Sequence, residues 1–394
     1  MTTAPSPLHS APLLWDIFCR VIDNYGDLGV CWRVSADLAR RGHSVRLWVD
    51  DASALQWMAP GALQGAWPGV QVLRWEQTLD AETLSTLKPA DVWIEAFGCE
   101  IAPEFIAVHA HSISATSLNG INFPVWINLE YLSAEAYVKR THTLPSPVLQ
   151  GPAAGHTKYF FYPGFTTGTG GLLREPGLTD SHQRFADADF KRSWLALHGV
   201  DWKGEFLVAL FCYEPAPLAA LLRQWAAEDR CTRLLVSAGR ATQAVQAALT
   251  ALGRQAEGGS SLQITYLPTL NQTEFDQLLW CCDLNCVRGE DSLVRAIWAG
   301  KPLVWHIYPQ DDEAHHAKLW AFLEVLKAPP SLAKFYAVWN GIEVMPQGVD
   351  STELLPTDLS TWHSAVQGLR AQLLKMDDLT TQLIGFVQKK TIKS

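Results

Sequence analysis

The sequence predicts an α/β fold in which two Rossmann-like, doubly wound domains face each other across a cleft. The chain has 394 residues, which is more than one domain of ordinary size contains. Hydrophobic residues make up 48% of the chain and charged residues only 18%, so each half can bury a substantial core. Short apolar segments alternate with longer amphipathic ones in two successive series, which is typical of parallel sheets covered by helices.

The first series predicts the N-terminal domain, residues 1–175. It opens with an apolar strand and a helix whose apolar residues Val30, Val34 and Leu38 share one face. Further buried strands are predicted at residues 70–75, 91–97 and 125–129. A stretch rich in Gly, Thr and Pro, residues 162–171, marks the approach to the domain boundary, and we interpret it as a loop that lines the cleft.

The second series predicts the C-terminal domain, residues 176–359. Its strands are predicted at residues 206–213, 233–237, 262–267, 284–287 and 302–307, and its helices at residues 217–227, 274–280 and 292–299. Residues 360–394 are predicted to form a mainly helical tail.

Composition also excludes several kinds of partner. The net charge is −9 and no stretch is densely basic, which argues against nucleic acid or an anionic membrane as the partner. No apolar run approaches the roughly 20 residues that cross a bilayer. The first residues lack the basic start and apolar core of a signal peptide, so the cytoplasm is the expected location.

The turn after the first strand carries two carboxylates, Asp23 and Asp27, beside Gly26 and Gly29. In open α/β sheets, ligands bind at the carboxyl ends of the strands, so these side chains are expected at the cleft. The turn lacks the three spaced glycines of a dinucleotide-binding loop, and its carboxylates would repel a phosphate. The N-terminal domain is therefore expected to supply a base rather than a nucleotide cradle.

A second motif, Arg288-Gly-Glu-Asp-Ser292, follows a predicted strand and opens a predicted helix. Asp291 or Ser292 is expected to cap this helix, whose first N–H groups attract an anion. Arg288 adds a positive charge suited to phosphate, and Glu290 can accept hydrogen bonds from vicinal hydroxyls such as those of a ribose. The motif predicts a nucleotide diphosphate site, although an ordinary capped helix with a surface acidic pair explains the spacing equally well.

Three aromatic residues stand at the ends of neighbouring predicted strands in the same domain: Phe211, Tyr213 and Tyr266. These strand ends face the cleft if both domains are doubly wound, and there a ring can stack on a nucleotide base. Taken singly, each ring is more often a core residue than a base platform.

The two motifs together resemble those of the bacterial protein-arginine rhamnosyltransferases that modify translation elongation factor P. The resemblance runs through residues 15–33, 125–133, 162–175, 211–215 and 288–311, so it covers nearly the whole chain. It implies a GT-B type glycosyltransferase with dTDP-β-L-rhamnose as donor, and an inverting transfer of rhamnose to a guanidino nitrogen of one arginine of elongation factor P. The identity of the sugar rests wholly on this resemblance.

The resemblance also implies a division of roles. The C-terminal domain would hold the nucleotide, the N-terminal domain would meet the acceptor protein, and the helical tail would cross back to the N-terminal domain. Asp27 matches the general base, and Asp23 matches a second essential carboxylate beside it. Contacts to the ribose and the diphosphate are matched by Glu290, Asp291 and Ser292, and the surroundings of the thymine and the ribose by Phe211, Tyr213 and Tyr266.

This scheme needs no metal ion and no cofactor besides the donor. A helix N-terminus and Arg288 can offset the charge of a leaving diphosphate, and we identify no Asp-x-Asp motif of the metal-dependent kind in the chain.

Three alternatives stay open. One is another GT-B nucleotide-sugar glycosyltransferase with a different acceptor, which would share the second motif but would usually lack the carboxylates of the first. Another is a nucleotide-sugar binding protein without catalysis. A Rossmann dehydrogenase is weakened by the missing glycine fingerprint.

Overall fold

The computed structural model describes residues 11–22, 25–116, 123–253, 261–310, 313–343 and 354–392. Within these ranges the chain forms two Rossmann-like domains, each built around a parallel or largely parallel sheet. The described strands are β1 (Leu14–Cys19), β2 (Ser44–Val49), β3 (Val70–Arg74), β4 (Val92–Ala96), β5 (Val125–Leu129), β6 (Pro145–Pro147), β7 (Thr157–Phe161), β8 (Phe206–Leu210), β9 (Thr232–Val236), β10 (Leu262–Tyr266), β11 (Leu284–Arg288) and β12 (Leu303–His306).

Helices cover the faces of both sheets. The described helices are α1 (Gly26–Arg40), α2 (Leu55–Met58), α3 (Ala81–Thr86), α4 (Pro103–Thr116), α5 (Ala136–Thr141), α6 (Leu178–Gln183), α7 (Ala188–Leu197), α8 (Leu218–Ala227), α9 (Arg240–Leu252), α10 (Gln272–Cys281), α11 (Gly289–Ala299), α12 (Ala314–Leu326), α13 (Pro330–Trp339), α14 (Ser360–Leu373) and α15 (Leu379–Thr391). None of the helices in this described part of the chain combines the length and the apolar character that crossing a membrane requires.

The strand order places a binding edge in each domain. As described, the N-terminal sheet has seven strands in the order β3-β2-β1-β4-β5-β7-β6, and the C-terminal sheet has five in the order β10-β9-β8-β11-β12. The order reverses between β1 and β4 in the first sheet and between β8 and β11 in the second. Ligands of doubly wound sheets bind at such reversals, beyond the carboxyl ends of the strands.

The central strands are buried on both faces because helices pack on each side of the sheet. Neighbouring strands are parallel except β6, which pairs antiparallel with β7 at the edge. This edge strand reads Pro145-Ser-Pro147, and proline is tolerated there because an edge strand need not donate every N–H.

The last two helices belong to different cores. Helix α14 buries Trp362, Val366 and Leu369 in the core of the C-terminal domain. Helix α15 instead adds Leu379, Leu383 and Val387 to the core beneath the N-terminal sheet. The chain therefore returns to its first domain at the end.

The glycine-rich stretch packs tightly against the elements around it. A Cβ on Gly170 would overlap the Phe161 ring. A Cβ on Gly171, whose φ is +70°, would lie 2.6 Å from the carbonyl oxygen of Asp377, just before α15. These glycines therefore serve close backbone packing, and the interpretation of the stretch as a loop that lines the cleft stays a prediction.

Candidate active site

Residues that follow strands of both sheets line two adjoining cavities between the domains. Cavity A has a volume of about 310 Å³ and is lined mainly by the C-terminal domain. Cavity B has a volume of about 190 Å³ and is lined by both domains. Gly26, Gly289 and Glu290 line both cavities, so the two cavities meet at these residues.

Cavity A collects most of the residues predicted for the nucleotide-sugar site: Phe211, Tyr213, Arg288, Glu290, Asp291 and Ser292. Two of them follow β8, and the other four lie where β11 passes into α11, so all six sit at the reversal point of the sheet.

Tyr266 is placed elsewhere. It ends the edge strand β10, is 43% exposed and does not belong to the lining of cavity A. Thr269, on the loop that follows β10, lines the cavity instead.

Helix α11 begins at Gly289, directly after the strand, and not at Ser292. Gly289 has a φ of +68°, which glycine adopts without steric cost, and this conformation turns the chain from strand into helix. The prediction that Asp291 or Ser292 caps the helix is wrong, because the residue before the helix is Arg288 and both candidates lie inside it. The Ser292 hydroxyl donates back to the Arg288 carbonyl oxygen.

The first turn of α11 nevertheless suits an anion. Its backbone N–H groups have no acceptor inside the helix, and the helix dipole places positive charge at this end. Because Gly289, Glu290, Asp291 and Ser292 all line cavity A, this charge borders the cavity.

Arg288 supplies a second source of positive charge. Its guanidinium carbon lies 4.6 Å from the ring centroids of both Phe211 and Tyr213, so the two rings fix its position. The side chain is buried, and its Nη1 has no hydrogen-bond partner among the described residues. An unsatisfied buried donor is costly, and this nitrogen is free to donate to a ligand acceptor.

Both domains hold the carboxylate of Glu290. Its Oε2 accepts a hydrogen bond from the backbone N–H of Leu132 at 2.7 Å, and its Oε1 pairs with Lys318. Burial raises the pKa of Glu290, whereas Lys318 acts in the opposite direction. At the junction of the two cavities, each carboxylate oxygen of Glu290 therefore already has one hydrogen-bond donor.

Asp291 pairs with a residue of the other domain. Nε of Arg33, on α1, lies 3.1 Å from Oδ1 of Asp291. Burial raises the pKa of Asp291, and the charge of Arg33 opposes that rise. The ion pair offsets a negative charge that would otherwise weaken anion binding at the start of α11.

Asp27 is the carboxylate that the N-terminal domain contributes to cavity B. It lies in the first turn of α1, is 3% exposed, and accepts a hydrogen bond from the Ile22 N–H at 3.0 Å. The Tyr131 hydroxyl also hydrogen-bonds to its side chain. Glu290 and Lys318 line the same cavity from the other domain. Asp23, the second predicted carboxylate, lies outside the described residues.

Two residues of cavity B were missed by sequence reasoning. Tyr131 follows β5 and stacks on Phe97, with ring centroids 4.6 Å apart. Lys318, on α12, has its ammonium 5.7 Å from the Tyr131 ring centroid. Residues 125–133 belong to the family resemblance, so Tyr131 had a signal, whereas nothing local distinguishes Lys318 from a surface lysine.

Among the residues the structure describes, no group of three or more His, Cys, Asp or Glu side chains is arranged to hold a metal ion. The chain does contain an Asp-x-Asp spacing at Asp187 and Asp189, but Asp187 caps helix α7 and Asp189 pairs with Arg192 on the surface.

The fold and the site together define a class of protein. Two Rossmann-like domains, an anion-attracting helix start on one side of the cleft and a buried carboxylate on the other are the arrangement of a GT-B type nucleotide-sugar glycosyltransferase. The predicted fold class is confirmed.

Comparison with known proteins defines the family. Residues 15–388 match the family described as the Elongation-Factor P (EF-P) rhamnosyltransferase EarP. The chain is 41% identical over 389 residues to the protein-arginine rhamnosyltransferase of Pseudomonas aeruginosa, which covers 94% of this chain and 98% of that protein. It is 42% identical over 393 residues to the protein of the same name from Pseudomonas putida, again covering 94% and 98%.

The fold of the chain also matches a solved structure. That structure concerns the structural basis for EarP-mediated arginine glycosylation of translation elongation factor EF-P. It shares 28% identity with the chain, has a TM-score of 0.60, and covers 96% of this chain and 99% of the other. The chain therefore belongs to the EarP family and is a glycosyltransferase of the protein-arginine rhamnosyltransferase kind. The resemblance inferred from the motifs is confirmed.

Proposed function

We propose that this protein transfers L-rhamnose from dTDP-β-L-rhamnose to a guanidino nitrogen of one arginine of elongation factor P, in the cytoplasm. The transfer inverts the anomeric carbon and uses neither a metal ion nor a cofactor besides the donor. The family membership supports the sugar and the acceptor. The observation that carries the mechanism is the junction of the two cavities, which brings the Asp27 carboxylate next to the anion site of α11.

Cavity A fits the nucleotide part of the donor. Its aromatic lining includes Phe211 and Phe275, whose ring centroids are 5.3 Å apart, and such rings suit a thymine base. The diphosphate would lie between the first turn of α11 and the unpaired Nη1 of Arg288, where the positive charge is concentrated. The sugar would then extend past Gly289 into cavity B.

Cavity B fits the acceptor side chain. Inversion requires the nucleophile to attack the anomeric carbon from the face opposite the departing diphosphate, and Asp27 lies on the domain across the cleft. The bond between the anomeric carbon and the diphosphate oxygen breaks, its electron pair leaves with dTDP, and a bond from the anomeric carbon to nitrogen forms. The guanidinium proton passes to the carboxylate of Asp27.

The order of these events follows from the acidity of arginine. A free guanidinium has a pKa above about 12, so an ordinary carboxylate does not deprotonate it in the ground state. Asp27 therefore orients the guanidinium and accepts its proton late, once bond formation has made the nitrogen acidic. Asp23 would hold a second guanidinium N–H and localise the π system.

The mass of the acceptor tests this proposal. Elongation factor P incubated with the protein and dTDP-β-L-rhamnose is expected to gain the mass of one deoxyhexose, located on an arginine by fragmentation. Omission of the donor is the control, and a chelator should leave the gain unchanged. No gain with a donor that binds in cavity A would point to another acceptor and would overturn the assignment.

A further inference from the structure

Helices α1 and α11 both begin at the cleft, and a buried group of charged side chains joins them further along. We call this group the interdomain ion cluster; its members are Arg33, Glu175, Asp276, Asp291 and Arg295. Arg33 lies on α1, Asp291 and Arg295 on α11, Asp276 on α10, and Glu175 on the segment that connects the two sheets. All but Asp291 are almost completely buried.

Each guanidinium of the cluster binds the same two carboxylates. Arg33 reaches Glu175 at 3.3 Å through Nη1 and Asp276 at 3.1 Å through Nη2. Arg295 reaches Glu175 at 2.6 Å through Nη1 and Asp276 at 2.7 Å through Nη2. Glu175 and Asp276 therefore bridge an arginine of one domain to an arginine of the other.

Helix α1 also touches helix α10 directly beside the cluster. The Gln272 side-chain amide donates to the Gly29 carbonyl oxygen at 3.0 Å, and a Cβ on Gly29 would lie 3.4 Å from that nitrogen. Gly29 and Arg33 follow Asp27 on α1, within roughly 9 Å along the helix axis. The cluster thus fixes the part of α1 that directly follows Asp27, the proposed base.

The chemistry of the cluster indicates that it fixes the relative position of the groups it joins more than it adds stability. Burying several charges carries a large desolvation penalty, and apolar packing of the same volume often stabilises a protein as well or better. Paired guanidinium forks, in contrast, fix both the distance and the direction of the groups they join. The two arginines lower the pKa of Glu175 to about 2 although burial alone would raise it, so its carboxylate stays ionised at neutral pH.

We propose that Arg33 and Glu175 are positioning residues for the transfer, because the interdomain ion cluster sets the separation and orientation of Asp27 relative to the first turn of α11. This inference rests on the proposed function for the roles of those two helix starts. In-line displacement tolerates little misplacement of the reacting groups, and an error of about 1 Å can cost on the order of 10²-fold in rate.

Glu175→Gln tests the inference, because Glu175 lines neither cavity A nor cavity B. The variant is expected to lower kcat for transfer by roughly 10²-fold. Its Kd for dTDP should stay within about twofold of the unmodified protein, since Glu175 itself does not line cavity A.

Asp16→Asn is the matched control. Asp16 is a buried carboxylate held by the Arg46 fork at 2.6 Å inside the N-terminal sheet, away from the cleft. Its substitution also neutralises one side of a buried ion pair, and it should lower the melting temperature while leaving kcat unchanged. A Glu175→Gln protein whose kcat equals that of the unmodified protein, or falls no further than that of Asp16→Asn, overturns the inference.

A distance measurement separates this inference from the proposed function. Spin labels at Leu149→Cys and Leu197→Cys, both exposed positions on different domains, report the interdomain distance once the exposed Cys231 is replaced by Ser. Glu175→Gln should broaden or shift the distance distribution, and an unchanged distribution overturns the inference even if the unmodified protein transfers nothing. If Glu175→Gln cannot be purified, Glu175→Asp, which withdraws the carboxylate by one methylene, must meet the same expectations.

Discussion

The two walls of the cleft carry complementary charges but are built differently. On the C-terminal wall, residues 288–292 are consecutive, and the junction of one strand with one helix places all of them. On the N-terminal wall, Asp27, Phe97 and Tyr131 follow three different strands, β1, β4 and β5, and meet because these strands are neighbours in the sheet. The charged segment of the C-terminal wall, the proposed donor wall, thus depends on local geometry. The N-terminal wall, the proposed acceptor wall, depends on the packing of a whole domain. Substitutions on the donor wall should leave acceptor binding unchanged, and substitutions on the acceptor wall should leave donor binding unchanged.

The largest effect is expected at Asp27. Asp27→Asn keeps the shape of the side chain but removes the proton acceptor, so kcat for transfer should fall by about 10²- to 10⁴-fold. Because Asp27 belongs to the N-terminal wall, the Kd for dTDP measured by calorimetry should not change.

Asp37→Asn provides the comparison on the same helix. Asp37 is fully buried and pairs with Arg41 at 2.9 Å, facing the tail helix α15 and not the cleft. That substitution should lower stability and spare transfer. If Asp27→Asn transfers at a near-normal rate, Asp27 is not the base.

The next effect is expected on the opposite wall, at Arg288. Arg288→Lys keeps the positive charge but loses the planar fork and the unpaired Nη1, which are suited to a diphosphate. Loss of one charge-assisted hydrogen bond, about 1.5–3 kcal/mol, should raise the Kd for dTDP by roughly 10- to 100-fold. The affinity for elongation factor P should be unchanged.

Arg233→Lys is the control for this change, because Arg233 pairs with Glu205 in the same domain but outside cavity A. A variant of Arg288 that binds dTDP normally and loses only the acceptor would reverse the assignment of the two walls.

A smaller effect is expected at Tyr131. Tyr131→Phe removes the hydrogen bond to Asp27 and keeps the stacking on Phe97, so kcat should fall about fivefold, as expected for roughly 1 kcal/mol. Burial and the nearby negative charges raise the pKa of Tyr131, so its hydroxyl stays protonated in alkaline assays. The ratio of the two kcat values should therefore stay constant from neutral to moderately alkaline pH; a ratio that changes there would mean that Tyr131 itself titrates.

The sequence was a better guide to the donor wall than to the acceptor wall, for a physical reason. Strand β5 matches its predicted bounds, and residues 288–292 were recognised because adjacent residues suffice to describe a strand–helix junction. The position of Asp27 at the cleft was predicted for the same reason. Tyr131 and Lys318, which line cavity B together with Asp27, were not predicted, since their positions depend on which strands and domains become neighbours.

The interdomain ion cluster was missed for that reason too. Its carboxylates Glu175 and Asp276 are far from Arg33 in the sequence, and only the packed domains bring them together. The start of α11 was misplaced for a different reason, because the positive φ of Gly289 replaces the side-chain cap that the residue types had predicted.

The smallest effect is expected at Tyr266, and it bears on how far the donor wall extends. Tyr266 was assigned to the thymine surroundings by resemblance, but the structure leaves it on the edge strand, outside the lining of cavity A. Tyr266→Ala should therefore change the Kd for dTDP by less than about twofold, the range of an ordinary surface substitution. Phe275→Ala, which removes a ring that lines the cavity and packs on Phe211, should raise the same Kd by about tenfold. If both substitutions raise the Kd for dTDP equally, the thymine base lies across the edge strand β10. The donor wall would then extend beyond the junction of β11 and α11.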